Sequence, residues 1–238
     1  MKKYRSAEGK NPHRVSPVNR IRIGDWHAAD PRATTCNPMS YRLFIATPLP
    51  PTVKAALAAA QTRLGRGGAP IKWVAPSSMH LTLRFLGETD IALLPTIGPT
   101  IRQSIQGHPA FQLSLTHVSA FPNTRHPNVV WAGVGGAVEA LGRLAGEIER
   151  AMVAIGFQPE KRAFRPHLTL GRARHGAAQT ALERLGDTIR ALPQLPPVAW
   201  LAQHVSLLRS ELQPGGPIYT EIADCQLAGD PQSDITLA

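Results

Sequence analysis

A chain of 238 residues with 43% hydrophobic and 18% charged side chains has the composition of an ordinary globular protein with one sizeable core, or with two small lobes sharing one. No apolar run nears the roughly 20 residues of a bilayer span, Met1 to Arg22 lacks the apolar core of a secretory signal, and two distant cysteines (Cys36, Cys225) exclude a disulfide framework or a zinc-thiolate site. These features predict a cytoplasmic protein that uses neither membrane nor metal. The net charge of +10 invites a polyanion, but residues 1–38 hold eight Lys/Arg against three Asp/Glu, so +5 of that excess lies there.

Residues 1–38 are rich in Pro, Asn, Arg and Ala without hydrophobic period, and are expected to be a disordered extension ahead of a functional start near Met39. A single folded unit is expected over 39–228, with a frayed tail over 229–238. The first strand is predicted at Tyr41–Ala46. A helix follows at Val53–Leu64, with Pro50-Pro51 opening it and Gly65 and Gly67 after it. Strands are predicted at Ile71–Val74 and His80–Leu86, then a helix over Asp90–Ile105 that Pro95 and Pro99 must shorten or kink. Strands at Phe111–Val118 and Val129–Val134 lead to a helix at Val138–Ile155, where Leu141, Leu144, Ile148 and Met152 fall on one face. A strand at His167–Arg172, a helix at Ala178–Leu192 and strands at Val198–Leu208 and Ile218–Cys225 complete the chain. Gln213 to Pro217 reads as a tight connection between the last two strands.

One sequence recurs. His80-Leu81-Thr82-Leu83 returns 87 residues later as His167-Leu168-Thr169-Leu170, each copy behind a proline (Pro76, Pro166) and ahead of an arginine (Arg84, Arg172). That interval is too long for a solenoid repeat and points to two similar halves that share a site. Side chains alternate along a strand, so each copy sends its leucines to one face and its histidine and threonine to the other. Two imidazoles that titrate near neutrality can divide the roles of proton acceptor and donor around one phosphate, while threonine hydroxyls bind the oxygens on which charge grows. No HExxH spacing, P-loop or GxGxxG is present, so neither metal nor cofactor is expected. His108, His117, His126, His175 and His204 lack a paired setting and read as solvated or structural.

With these motifs the chain resembles the 2H phosphoesterase superfamily, and within it the bacterial RNA 2′,3′-cyclic phosphodiesterases also called 2′-5′ RNA ligases. The resemblance runs from Tyr41 to about Cys225. It includes Arg42-Leu43-Phe44-Ile45-Ala46, Trp73-Val74 through His80 to Gly87, Phe121-Pro122, Val130-Trp131, Phe164 to Leu170, Leu208 to Leu212 and Gly215-Gly216 through Tyr219. It implies a bilobal α+β fold with pseudo-two-fold symmetry, two antiparallel sheets around a central cleft and helices outside. It implies a monomer acting on RNA with a 2′,3′-cyclic phosphate terminus and leaving a 2′-phosphomonoester, without metal or other cofactor, with 2′-5′ ligation as the reverse reaction. His80 would be the proton donor, His167 the proton acceptor, and Thr82 and Thr169 the phosphate ligands. Arg84 and Arg172 are expected either to share the threonine face and bind phosphate or to face solvent. Arg165 and Arg125 are candidates for the RNA path. Phe121, Trp73 and Tyr219 are candidates for stacking on a base or for packing in the core. Two other functions fit the same motifs: a phosphodiesterase on a small cyclic-phosphate nucleotide, and a non-catalytic RNA-binding module.

Overall fold

Alternation of apolar and polar residues dictates most of the strands, and three- and four-residue apolar spacing dictates the helices. The computed structural model describes residues 39–228, except Pro193 and Gly215; the expected N-terminal extension with its Cys36 and the expected tail over 229–238 lie outside the described residues. The elements are β1 (Ser40–Pro48), α1 (Pro51–Gly65), β2 (Ile71–Trp73), β3 (His80–Asp90), α2 (Leu94–Ser104), β4 (Phe111–Asn123), β5 (His126–Gly136), α3 (Val138–Ala154), β6 (His167–Ala173), α4 (Gln179–Ala191), β7 (Ala199–Ala202), β8 (His204–Gln213) and β9 (Gly216–Gln226).

The strands form two antiparallel sheets. The first has four strands in the order β3-β1-β8-β9, and the second five in the order β2-β6-β5-β4-β7. The echoed motifs therefore open one strand in each sheet, β3 and β6, and these two strands approach one another. The core lies behind them. Leu81, Leu83, Leu168 and Leu170 are buried with Leu43 and Ile45 of β1, Leu113 and Leu115 of β4, and Val205 and Leu207 of β8.

The helices cover this core with continuous apolar faces. In α3, Leu141, Leu144, Ile148 and Met152 are all buried, as the spacing predicts. Helix α1 opens with Pro51 in its first turn, where the missing N–H has no intrahelical partner to lose. It is followed by a turn closed by Gly68 N–H donating to the Gly65 carbonyl, with Gly68 at φ +66°.

The structure differs from expectation in two elements. The helix predicted over 90–105 is divided into a 3-10 turn at Ile91–Leu93, capped by the Asp90 carboxylate on Ala92 N–H, and α2, whose first turn carries Pro95 and whose interior carries Pro99. The strand predicted over 198–208 is two strands in different sheets. β7 pairs with β4, the chain crosses at Gln203, and β8 pairs with β1 and β9. The buried positions shift from Trp200 and Ala202 to Val205 and Leu207, out of step across the polar pair Gln203-His204, and that shift marks the crossing.

Candidate active site

Each motif histidine is held the same way. His80 Nδ1 lies 2.9 Å from the Ser78 carbonyl oxygen and His167 Nδ1 lies 2.7 Å from the Arg165 carbonyl oxygen. A carbonyl only accepts, so Nδ1 carries the proton in both rings and Nε2 is the nitrogen left for chemistry. The prolines before each motif shape these approaches: Pro76 starts the 3-10 turn Pro76–Ser78, and Pro166 directly precedes His167. Both rings are half-buried between aromatic side chains. The His80 ring is 4.6 Å from Phe44 and 5.1 Å from Tyr219, and the His167 ring is 5.1 Å from Phe121 and 6.3 Å from Trp131. Phe121 stacks on Trp131 at 4.9 Å.

This setting disfavours charge on either ring. The His80 pKa is pushed down to about 4, chiefly by burial; the Ser78 hydrogen bond opposes the shift and the Lys54 cation adds to it. Burial also lowers the His167 pKa, against its hydrogen bond to Arg165 and with the Arg172 cation. Arg172 links the halves, because its charge acts both on His167 and on Tyr219, which packs edge-on against His80. Although Arg172 is open to solvent along part of its length, burial of its guanidinium lowers its pKa, with Tyr219 opposing and Arg42 reinforcing the shift. Tyr219 is raised by burial against the pull of Arg172 and Arg42.

Register shows which side chains share the cleft face. Ala46 pairs with Thr82, but its neighbour Ile45 pairs with Arg84, so Leu83 is an extra, bulged residue. Trp131 pairs with Thr169 and Val130 with Gly171, so Leu170 is the corresponding bulge in β6. The bulges reverse the alternation beyond each threonine. Arg84 turns to the side of the fully buried Ile45, is 6% exposed, pairs with Glu149 of α3 and donates to the Gln158 carbonyl. The expectation that Arg84 binds phosphate is therefore corrected: it is a core arginine. Arg172, one residue further along its motif, returns to the face of Thr169 and lies opposite Val129 and Lys72. In the first motif that position belongs to Phe85, opposite Phe44 and 50% exposed. Thr82 and Thr169 are half-buried, and neither hydroxyl makes a hydrogen bond among the described residues.

The remaining candidates are dispersed. Phe121 and Tyr219 touch the histidines, whereas Trp73 packs against the core. Arg165 is exposed and lends only its backbone carbonyl to His167. Arg125 is at the β4–β5 turn and lines a separate hollow of about 270 Å³ with His126, Glu183 and Arg190. His108 and His204, expected to lack paired settings, are bonded to Glu147 and Asp224 respectively, which ties the α2–β4 connection to α3 and the start of β8 to β9. Among the described residues no group of three or more His, Cys, Asp or Glu is placed to hold a metal ion, and no helix is long and apolar enough to cross a membrane.

Phe44, Trp131, Arg42 and Lys54 were given no place at the site by the sequence, and His117, read there as solvated or structural, packs 5.4 Å from Trp131. Its ring occupies the space where a side chain on Gly133, the partner of His167, would stand.

Two antiparallel sheets that each present a histidine–threonine pair constitute the 2H phosphoesterase fold. A profile of the 2′-5′ RNA ligase superfamily matches residues 49–214, and the chain belongs to that family. It is similar to a protein of Methanothermobacter thermautotrophicus named RNA 2′,3′-cyclic phosphodiesterase, 33% identical over 77% of this chain and 97% of that one. A protein of the same name from Aeropyrum pernix is 34% identical over 72% of this chain and 95% of its own. Among solved structures, one from Thermus thermophilus is 31% identical with a TM-score of 0.66, covering 79% of this chain and 99% of that one. E. coli LigT, solved with 3′-AMP, shares the fold at 24% identity and a TM-score of 0.65, over 79% of this chain and 99% of its own.

Proposed function

We propose that this protein hydrolyses the 2′,3′-cyclic phosphate at an RNA end to a 2′-phosphomonoester. The observation that carries the proposal is the matched setting of His80 and His167: each donates Nδ1–H to a backbone carbonyl, keeps Nε2 for the reaction and shares a strand face with a threonine. The name borne by the relatives supports the same substrate.

In this mechanism the neutral Nε2 of His167 accepts a proton from water as its oxygen attacks phosphorus. The P–O3′ bond breaks in line with that attack, and Nε2–H of protonated His80 delivers its proton to the 3′-oxygen. Thr82 and Thr169 donate hydrogen bonds to the non-bridging oxygens, and the Arg172 cation offsets their charge. Burial, with a smaller contribution from the Arg172 cation, favours the neutral imidazole of His167, which suits a base. His80 acquires its proton when the substrate phosphate brings negative charge to its pocket. With an RNA 5′-hydroxyl attacking in place of water, the same chemistry forms a 2′-5′ link.

The test is product analysis on a short oligoribonucleotide with a 2′,3′-cyclic phosphate end, in the presence of EDTA. A 2′-phosphate product is expected. A 3′-phosphate product, or binding of the RNA without turnover, contradicts the proposal; faster turnover of a cyclic mononucleotide than of the oligonucleotide assigns the small-nucleotide reading instead.

A further inference from the structure

Helix α1 buries Val53, Leu57, Ala60 and Leu64, and within that apolar stripe lies Gln61, 9% exposed. An amide held there must satisfy its donors within the protein. Gln61 Nε2 donates to two carbonyl oxygens, that of Val74 at 2.7 Å and that of Leu170 at 2.8 Å. The Leu170 oxygen also accepts from Val74 N–H at 2.8 Å, so the three residues form a closed set. Among side chains of this length, a primary amide offers two diverging N–H donors without charge; glutamate and methionine offer none.

Both acceptors lie where β2 and β6 pair at the edge of the second sheet, but they lead to different histidines. Val74 follows β2 and leads through the Pro76–Ser78 turn to His80, whose Nδ1–H is held by Ser78. Leu170 is the bulged residue that returns Arg172 to the face of Thr169. Seven residues before Gln61, Lys54 of the same helix donates to the Ser77 carbonyl at 3.4 Å, a second hold on the approach to His80. Arg84 makes the reciprocal tie: from the strand of the first motif it grips the Gln158 carbonyl, in the segment leading to His167, and Glu149 of α3.

We infer that Gln61 is a positioning residue: by holding both Val74 and Leu170 from helix α1 it fixes the point at which the chain leaves the second sheet for His80, and so the separation of the two histidines, and it keeps Arg172 turned toward the cleft, with Arg84 as its counterpart on the other side. The inference rests on the two-histidine reading above. It distinguishes Gln61 from an ordinary core residue, because the loss of its bonds disturbs the reaction geometry through both motifs at once.

The test is steady-state hydrolysis of a 2′,3′-cyclic-phosphate oligoribonucleotide by the full chain and by Gln61→Met, which keeps the side chain's length and removes both donors. The expected result is a loss of about 10- to 100-fold in kcat with KM little changed, and an alkaline limb of the pH–rate profile moved upward as water reaches His80. In a His167→Ala background the same substitution should have little further effect, because the pair whose spacing it sets is already broken. Wild-type kcat in Gln61→Met, or an equal fold-loss in the His167→Ala background, overturns the inference. A wild-type protein inactive on this substrate counts against the phosphodiesterase reading instead. The structural half is then decided, as it is if Gln61→Met fails to fold, by hydrogen-bond couplings in the wild type between the Gln61 side-chain amide and the Val74 and Leu170 carbonyl carbons. Both couplings are expected, and absence of either overturns the bridge.

Discussion

In the free protein His80 is a proton donor that seldom holds its proton. Its pKa of about 4 is 2.5 below the ordinary 6.5, a difference worth about 3.4 kcal/mol at 1.36 kcal/mol per unit. At pH 7 roughly one molecule in a thousand carries the imidazolium. Filling the site with a nucleoside 2′-phosphate should reverse this. One unit of negative charge about 4 Å from the ring contributes about 4 kcal/mol at an effective dielectric of 20, enough to offset the burial. The His80 pKa in the complex should therefore return to about 6.5 or above. The assay is an NMR titration of the imidazole nitrogens with and without saturating nucleotide, with His80→Ala assigning the resonance. Kinetics should agree: kcat/KM reports the free groups and kcat the complex, so the alkaline limb of kcat lies at higher pH. Stability follows the same shift with a definite sign. The folded pKa is below the unfolded one, so the unfolded chain binds the proton more readily. Stability is full above about pH 6.5, and about 3 kcal/mol is lost as pH falls from there to about 4. A free-protein pKa near 6.5, or one that nucleotide leaves unmoved, refutes this reasoning.

Other consequences are open to direct measurement. Thr82→Val and Thr169→Val should each reduce kcat/KM by about 10²-fold while the thermal midpoint changes little, as read by kinetics beside a melting curve. Arg172→Met should lower kcat/KM by about 10- to 100-fold, the worth of a hydrogen bond to a charged group. Arg84→Met should instead cost about 3 kcal/mol of stability by stranding Glu149, with KM unaltered; urea unfolding beside kinetics separates the two arginines. Gly171→Ala should destabilise by about 1–3 kcal/mol, since a Cβ there would stand 2.4 Å from Ile71 Cγ2 and 2.8 Å from Trp73 Cε3. An unchanged urea midpoint would contradict the orientation assigned to the bulge.

The parts of the site legible in the sequence are those that strand alternation fixes over two residues. His80 with Thr82, and His167 with Thr169, share a face because nothing interrupts the strand between them. One residue further the rule fails. Bulges at Leu83 and Leu170 carry no marker in the sequence, yet they send Arg84 into the core and bring Arg172 out. Nothing in the sequence sets Phe44 and Trp131 against the histidines, because an aromatic residue on a strand ordinarily signals packing. Gln61 did leave a signal: it is the polar residue in the apolar stripe formed by Val53, Leu57 and Leu64, but an isolated helix gives no indication of which carbonyls it meets. The crossing at Gln203 leaves only a one-residue slip in the apolar alternation, from Trp200 and Ala202 to Val205 and Leu207, which by itself does not tell a bulge from a change of sheet.

The shared action of two imidazoles on one phosphate is tested most directly by a double-mutant cycle on an oligoribonucleotide 2′,3′-cyclic phosphate. His80→Ala and His167→Ala should each lower kcat by about 10²–10⁴-fold with folding intact. The double variant should be little slower than the slower single one, because acid and base act in one concerted step. Near-wild-type turnover in the double variant, or two losses that simply multiply, would contradict the account.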